Sequence, residues 1–162
     1  MNQDRTIFIY SDGSSRGNPG PGGYGVILQY GPHVKEMSAG YALTTNNRME
    51  LLGVIVGLET LKYTGCNVRI VSDSKYVVDA VNKGWLFSWE KKNFAKQKNP
   101  DLWKRFLEVY RKHNVAFTWI KGHNNHPQNE RCDRMAVAAA LDSTSLLEDS
   151  WYVANALETD AQ

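Results

Sequence analysis

Cysteine, long apolar runs and a dominant sign of charge are what this sequence lacks. Cys66 and Cys132 are the two cysteines of 162 residues, and they form no CxxC pair and no Cys/His cluster of zinc spacing. That argues against a disulfide framework or a structural zinc and leaves both thiols as small buried residues. The apolar stretches are short and broken by charge, and the opening residues show no basic region followed by an apolar run of signal length. Neither a membrane span nor an export signal is expected, so the chain reads as a cytoplasmic protein with no membrane partner. The formal net charge is only +2, from 19 basic and 17 acidic side chains. What is present is an uneven distribution. Residues 83 to 112 carry nine of the basic side chains against Glu90, Asp101 and Glu108, whereas residues 142 to 162 carry five acids and no Lys or Arg. A locally basic surface on a nearly neutral protein suits a docked polyanion better than general stickiness.

With 42% hydrophobic residues, the chain can fill one core. Residues 6 to 11 are β-branched and aromatic and run into Asp12-Gly13, after which six glycines fall within residues 13 to 25. That predicts a strand feeding a loop. Residues 25 to 30 and 34 to 41, divided by Gly31-Pro32, complete an antiparallel meander. Residues 47 to 63 form the clearest helix, with Leu51, Ile55, Leu58 and Leu61 at helical spacing and Gly65 beyond its end. A strand over 68 to 72 and a helix over 74 to 82 follow. Residues 85 to 98 mix aromatics with lysines and lack a strong period. Pro100 opens a helix to about residue 113, residues 115 to 121 form a fifth strand, and Pro127 starts an alanine-rich helix to residue 141. The order predicts an α/β fold with a mixed sheet of antiparallel and parallel strands. The domain is expected over residues 1 to 142, with a basic protrusion at about 83 to 100. Residues 143 to 162 form a weakly specified acidic tail from which Trp151 and Tyr152 can pack back.

In such folds the ends of strands and starts of helices carry chemistry. Asp12 ends the first strand, Asp73 follows the fourth, Glu50 sits in the first turn of the long helix and Asp133 in the second turn of the last. Each also has a plain structural role open to it. Asp12 can form a turn, Asp73 can cap a helix, Glu50 can close a capping box onto the Asn47 amide, and Asp133 can be a solvated helix residue. Together they suggest more, because neighbouring carboxylates repel unless protons or cations bind between them. Hard oxygen ligands suit Mg²⁺ or Mn²⁺, and a pair of such ions suits phosphoryl displacement.

The motifs 10-YSDGS-14, 17-GNPGPGGYG-25, 44-TTNNRMEL-51, 72-SDSKYV-77, 121-KGH-123 and 126-HPQNERCD-133 stand in the order of a known family. The chain closely resembles a bacterial ribonuclease H of type 1 over roughly residues 6 to 141. The resemblance implies the ribonuclease H-like fold, a five-stranded mixed sheet flanked by helices. It implies cleavage of the RNA strand of an RNA/DNA hybrid, two Mg²⁺ ions per site with Mn²⁺ as a substitute, and a monomer. Metal-binding carboxylates then correspond to Asp12, Glu50, Asp73 and Asp133, and a catalytic loop histidine to His123. Asn18, Thr45, Asn46 and Asn47 match positions that touch the hybrid's backbones, and Trp85, Trp89, Lys91 and Lys92 match the basic protrusion. Ser15 stands where cysteine or another small residue often occurs. Lys75 stands where many relatives have glutamine, so a phosphate contact can replace one made in the minor groove. The protrusion is shorter than in the longest bacterial versions.

Read from its residues alone, the glycine-rich segment is either a tight turn or a place where main chain approaches substrate, and it matches no nucleotide-binding loop. Trp103, Phe106 and Tyr110 lie at helical spacing and are expected in the core. Trp85 and Trp89, four apart, either meet substrate or anchor the protrusion. A hybrid-binding module without catalysis and a related nuclease acting on DNA junctions are the competing readings.

Overall fold

The computed structural model describes residues 5–122 and 125–160. Five strands, β1 (Thr6–Ser15), β2 (Gly20–Tyr30), β3 (His33–Thr44), β4 (Asn67–Ser72) and β5 (Asn114–Trp119), form one sheet in the order β3-β2-β1-β4-β5. The β1/β2 and β2/β3 pairs are antiparallel, and β1/β4 and β4/β5 are parallel. The helices are α1 (Asn46–Glu59), α2 (Lys75–Asn82), α3 (Trp85–Lys91), α4 (Pro100–Tyr110), α5 (Pro127–Leu141) and α6 (Ser150–Asp160). This is the five-stranded mixed sheet flanked by helices that the resemblance implies.

Alternate residues of a strand face opposite sides, and the two sides are filled differently. On one side α1 lies over Ile9, Ser11 and Val26, with Gly53 and Gly57 bringing it close. The core of Leu51, Ile55, Leu58, Ile70, Trp103, Phe106 and Phe117 builds there. On the other side α5 packs against β1, β2 and β3. A Cβ at Gly25, Gly23 or Gly40 would run into the carbonyl oxygens of Cys132, Ala136 and Ala139 respectively. The glycine-rich segment is therefore mostly strand, and β1 and β2 are each longer than their residue types suggest. Glycine is a poor strand former, but a helix backbone resting on a sheet leaves no room for anything larger. No helix among the described residues is long and apolar enough to cross a membrane.

The tail is also more ordered than its composition predicts. Leu147 bonds β3 through Leu147 N–H to the Gly40 carbonyl at 2.8 Å and Ala42 N–H to the Leu147 carbonyl at 2.9 Å. Asp149 and Tyr152 are buried. Beneath them Arg48, only 2% exposed, donates to both Asp149 oxygens at 2.7 and 3.0 Å and to both Asp101 oxygens at 2.9 and 2.7 Å. The Arg48 guanidinium also lies 4.9 Å from the centre of the Trp151 ring.

Candidate active site

The topology changes direction at β1, whose neighbours are antiparallel β2 on one side and parallel β4 on the other. Ligands in α/β sheets collect at the carboxyl ends of strands beside such a switch point. The β1/β4 register ends with Tyr10 paired to Val71, and Asp12 and Asp73 each follow two residues later. Glu50 comes from α1. Thr45 caps that helix by accepting from the Arg48 amide at 3.2 Å, so the capping box expected between Asn47 and Glu50 does not form. Glu50 is thereby released to accept from the Gly13 amide, which also donates to Asp12 Oδ1 at 3.0 Å. A Cβ on Gly13 would overlap the Glu50 backbone nitrogen, so only glycine admits this approach. Asp73 is not the cap of α2 either; Ser74 is, accepting from the Val77 amide at 3.3 Å.

Asp12, Glu50 and Asp73 each offer a carboxylate oxygen, and these atoms all lie within 4.8 Å of one another. They line a cleft of about 430 Å³ together with Asn46, Asn47, Lys75 and Asp133. Asp133 is half-buried and stands outside the tight trio. Burial, and then the Glu50 charge and hydrogen bond, push the Asp12 carboxyl far above the usual carboxylate range. Burial raises Glu50 as well; the Asp73 charge adds to this, while hydrogen bonds from Asp12, Gly13 and Ser74 oppose it. Crowded carboxylates of this kind are relieved by protons or by cations. An all-oxygen donor set lining a cleft fits a hard divalent ion such as Mg²⁺ or Mn²⁺.

Fold and site together define an α/β protein with an acidic centre, of a kind that could hold a divalent cation, at the switch point of its sheet. The chain belongs to the RNase H family, whose family model matches residues 4–141. Its relatives include Ribonuclease H of Desulforamulus reducens, 56% identical over 141 residues that cover 84% of this chain and 88% of the relative. Ribonuclease H of Rippkaea orientalis is 49% identical over 160 residues, 96% of this chain and 97% of the relative. Among solved structures, LC9-RNase H1, a type 1 RNase H with the type 2 active-site motif, matches with a TM-score of 0.77 at 29% identity, covering 94% of this chain and 81% of that one. LC11-RNase H1 in complex with RNA/DNA hybrid matches with a TM-score of 0.65 at 27% identity, covering 86% and 99%.

The other predicted residues that the structure describes lie on the loops and helices near this cleft or on the protrusion. Ser15 ends β1, and exposed Asn18 accepts from the Asn46 amide at 3.1 Å. Asn18, Thr45 and Asn47 share a small pocket with Lys98, Asn99 and Tyr152. Lys75 is the first residue of α2. Trp85 is 46% exposed, but Trp89 is half-buried with its ring 5.7 Å from that of Trp103. Lys91 and Lys92 are exposed. His123 lies outside the described residues. Asn99 escapes the sequence reading because its place depends on where the protrusion docks and no local pattern signals it, whereas Tyr152 packs back from the tail as expected. Trp119, beside Asp73, is missed because a tryptophan ending a strand reads as core.

Proposed function

We propose that this protein is an endonuclease that hydrolyses the RNA strand of RNA/DNA hybrids, leaving 3′-hydroxyl and 5′-phosphate ends, and that it works as a monomer in the cytoplasm. The convergence of Asp12, Glu50 and Asp73 in a chain of the RNase H family carries the reading. The likeness to LC11-RNase H1, solved with an RNA/DNA hybrid, supports the substrate. Asp12, Glu50, Asp73 and Asp133 would hold two Mg²⁺ ions, or Mn²⁺ in their place. Once bound, these supply Lewis acidity toward the attacking water and the scissile phosphate.

The chain's own groups do the rest. Asp12 and Asp73, fixed by adjacent parallel strands, give the cluster its rigidity, and the Gly13 amide orients Glu50. His123, next to Gly122, would move protons near neutral pH and ease product departure. Asn46 and Asn47 line the cleft, Asn18 and Thr45 share a neighbouring pocket with Asn47, and Ser15 ends β1, so that short polar groups would meet the substrate. These suit a wide, shallow minor groove in which 2′-hydroxyls mark the RNA strand. Lys75, Lys91 and Lys92 would meet phosphates, Trp85 would lie against the hybrid, and Trp89 would secure the protrusion on Trp103.

A hybrid labelled on either strand tests the reading. With Mg²⁺, internal cuts should appear in the RNA strand alone, and excess chelator should abolish them. Duplex DNA and single-stranded RNA should be spared. Efficient cutting of duplex DNA would favour a junction nuclease, and binding without cleavage a non-catalytic module.

A further inference from the structure

Lys75 is the one cation among the described residues that line the acidic cleft. A lysine on a flexible four-carbon stem beside several carboxylates has an obvious alternative to contacting substrate, namely to fold onto those acids and neutralise them. It does not do so. Its ammonium lies 5.0 Å from the centre of the Trp119 ring, and it enters no ion pair among the described residues. Trp119 is itself well placed. It ends β5 in register with Ser72, and its Nε1–H donates to the Asp73 carbonyl at 3.1 Å. The next residue bonds the same strand, Ile120 N–H to the Ser72 carbonyl at 3.0 Å. The ring is thus tethered to the turn that carries both Asp73 and Lys75, yet remains 42% exposed.

We propose that Trp119 is a positioning residue whose ring holds the Lys75 ammonium away from Asp12, Glu50 and Asp73. The ammonium then does not compete with divalent cations for these carboxylates and is directed to the nucleic-acid backbone. The π-face offers the ammonium a resting place that neutralises no carboxylate. A side chain already ordered there also loses less freedom when it meets a phosphate. The inference rests on the proposed metal-dependent cleavage and adds to it a division of labour between two neighbouring charges.

The test is calorimetric titration of the full chain with Mn²⁺, without nucleic acid, for the wild type, Trp119→Leu, Trp119→Phe, Lys75→Met and the Trp119→Leu/Lys75→Met double variant. Trp119→Leu should weaken Mn²⁺ binding by about 2- to 5-fold, which is a cation–π contact of about 0.5–1 kcal/mol converted at about 1.4 kcal/mol per tenfold. Trp119→Phe, which keeps a ring but loses the Nε1 donor, should stay near the wild type. In the Lys75→Met background, Trp119→Leu should change nothing. Equal weakening with and without Lys75, or no weakening in Trp119→Leu, overturns the proposal. A measurement on the wild type alone guards against a variant that folds poorly. The ε-methylene protons of Lys75 should resonate upfield of the other lysines through the ring current, and an unshifted signal refutes the contact. Because these readouts contain no substrate, failure to cleave hybrids would count against the proposed function and leave this result standing.

Discussion

Among single side chains, Asp12 sets function most directly against stability. Its carboxyl is raised above the ordinary value of about 4 by burial and by Glu50. Without a cation, the folded protein therefore keeps a proton that the unfolded chain gives up as pH rises past about 4. The stabilisation from that proton is fully present at low pH and drains away between about 4 and the raised folded value. In chelator, urea unfolding should thus show stability falling with pH above 4. Asp12→Asn should flatten that slope and raise the melting temperature near neutrality while hybrid cleavage falls by orders of magnitude. Near-normal turnover in that variant would remove Asp12 from the site. Asp12, Glu50 and Asp73, which the structure brings together, were marked in the sequence by their places at strand ends and a helix start and by the family resemblance. Gly13 was not, since Asp-Gly reads equally well as a turn and only the docking of α1 reveals why a methyl group is forbidden there. Arg48 was hidden for a related reason. Its partners Asp101 and Asp149 are 53 and 101 residues away, and an isolated arginine in a helical segment reads as surface.

Among the elements, α6 departs most from its composition. Its acids suggest a solvated tail, yet Asp149 accepts from Arg48 and, at 2.7 Å, from the Thr44 hydroxyl, and so ties the helix to the start of α1. Removing one partner of a buried ionic network leaves the other charge undercompensated, at a cost of about 3–5 kcal/mol. Asp149→Ala should therefore lower unfolding free energy by about 3 kcal/mol, toward the bottom of that range because Asp101 still pairs Arg48. Denaturant curves would measure it, and a loss within error of zero would mean that α6 is only laid on the surface. The protrusion resisted periodicity for a different reason. After the two turns of α3, Asn93, Phe94, Lys96 and Asn99 all take positive φ, so no repeat of either helix or strand can run through them.

For the whole molecule, the relevant charge is what remains after internal pairing. In the basic segment, Arg105 is committed to Glu59 and Arg111 to Glu90, each at 2.6 Å, whereas Lys91, Lys92, Lys96 and Lys98 are exposed and unpaired among the described residues. Replacing those four lysines with alanine should raise KM strongly and nearly preserve kcat, because the binding lost is common to ground and transition states. Each phosphate contact removed should lower the salt slope of hybrid binding by about one. Kinetics across a salt series would check both, and a loss confined to kcat would show that the lysines are merely solvated. The mixed sheet, an antiparallel meander joined to parallel strands, was readable at this scale because hairpin signals and helical crossovers restrict how strands can be arranged. The paths of the protrusion and the tail were not, because they are fixed by contacts far apart in the chain.

The glycines beneath α5 have a consequence for how this protein can diverge. With main chain resting on main chain at Gly23, Gly25 and Gly40, the seat of α5 is gauged by backbone thickness rather than by side-chain volume. The span from Asp133 to Asp12 inherits that gauge. Residues of the α1-side core can be exchanged, and the protein retuned for heat or cold, without resetting the span from Asp133 to Asp12. A single methyl group at Gly25 would act like a shim under the helix, moving Asp133 relative to Asp12 although no acid is replaced.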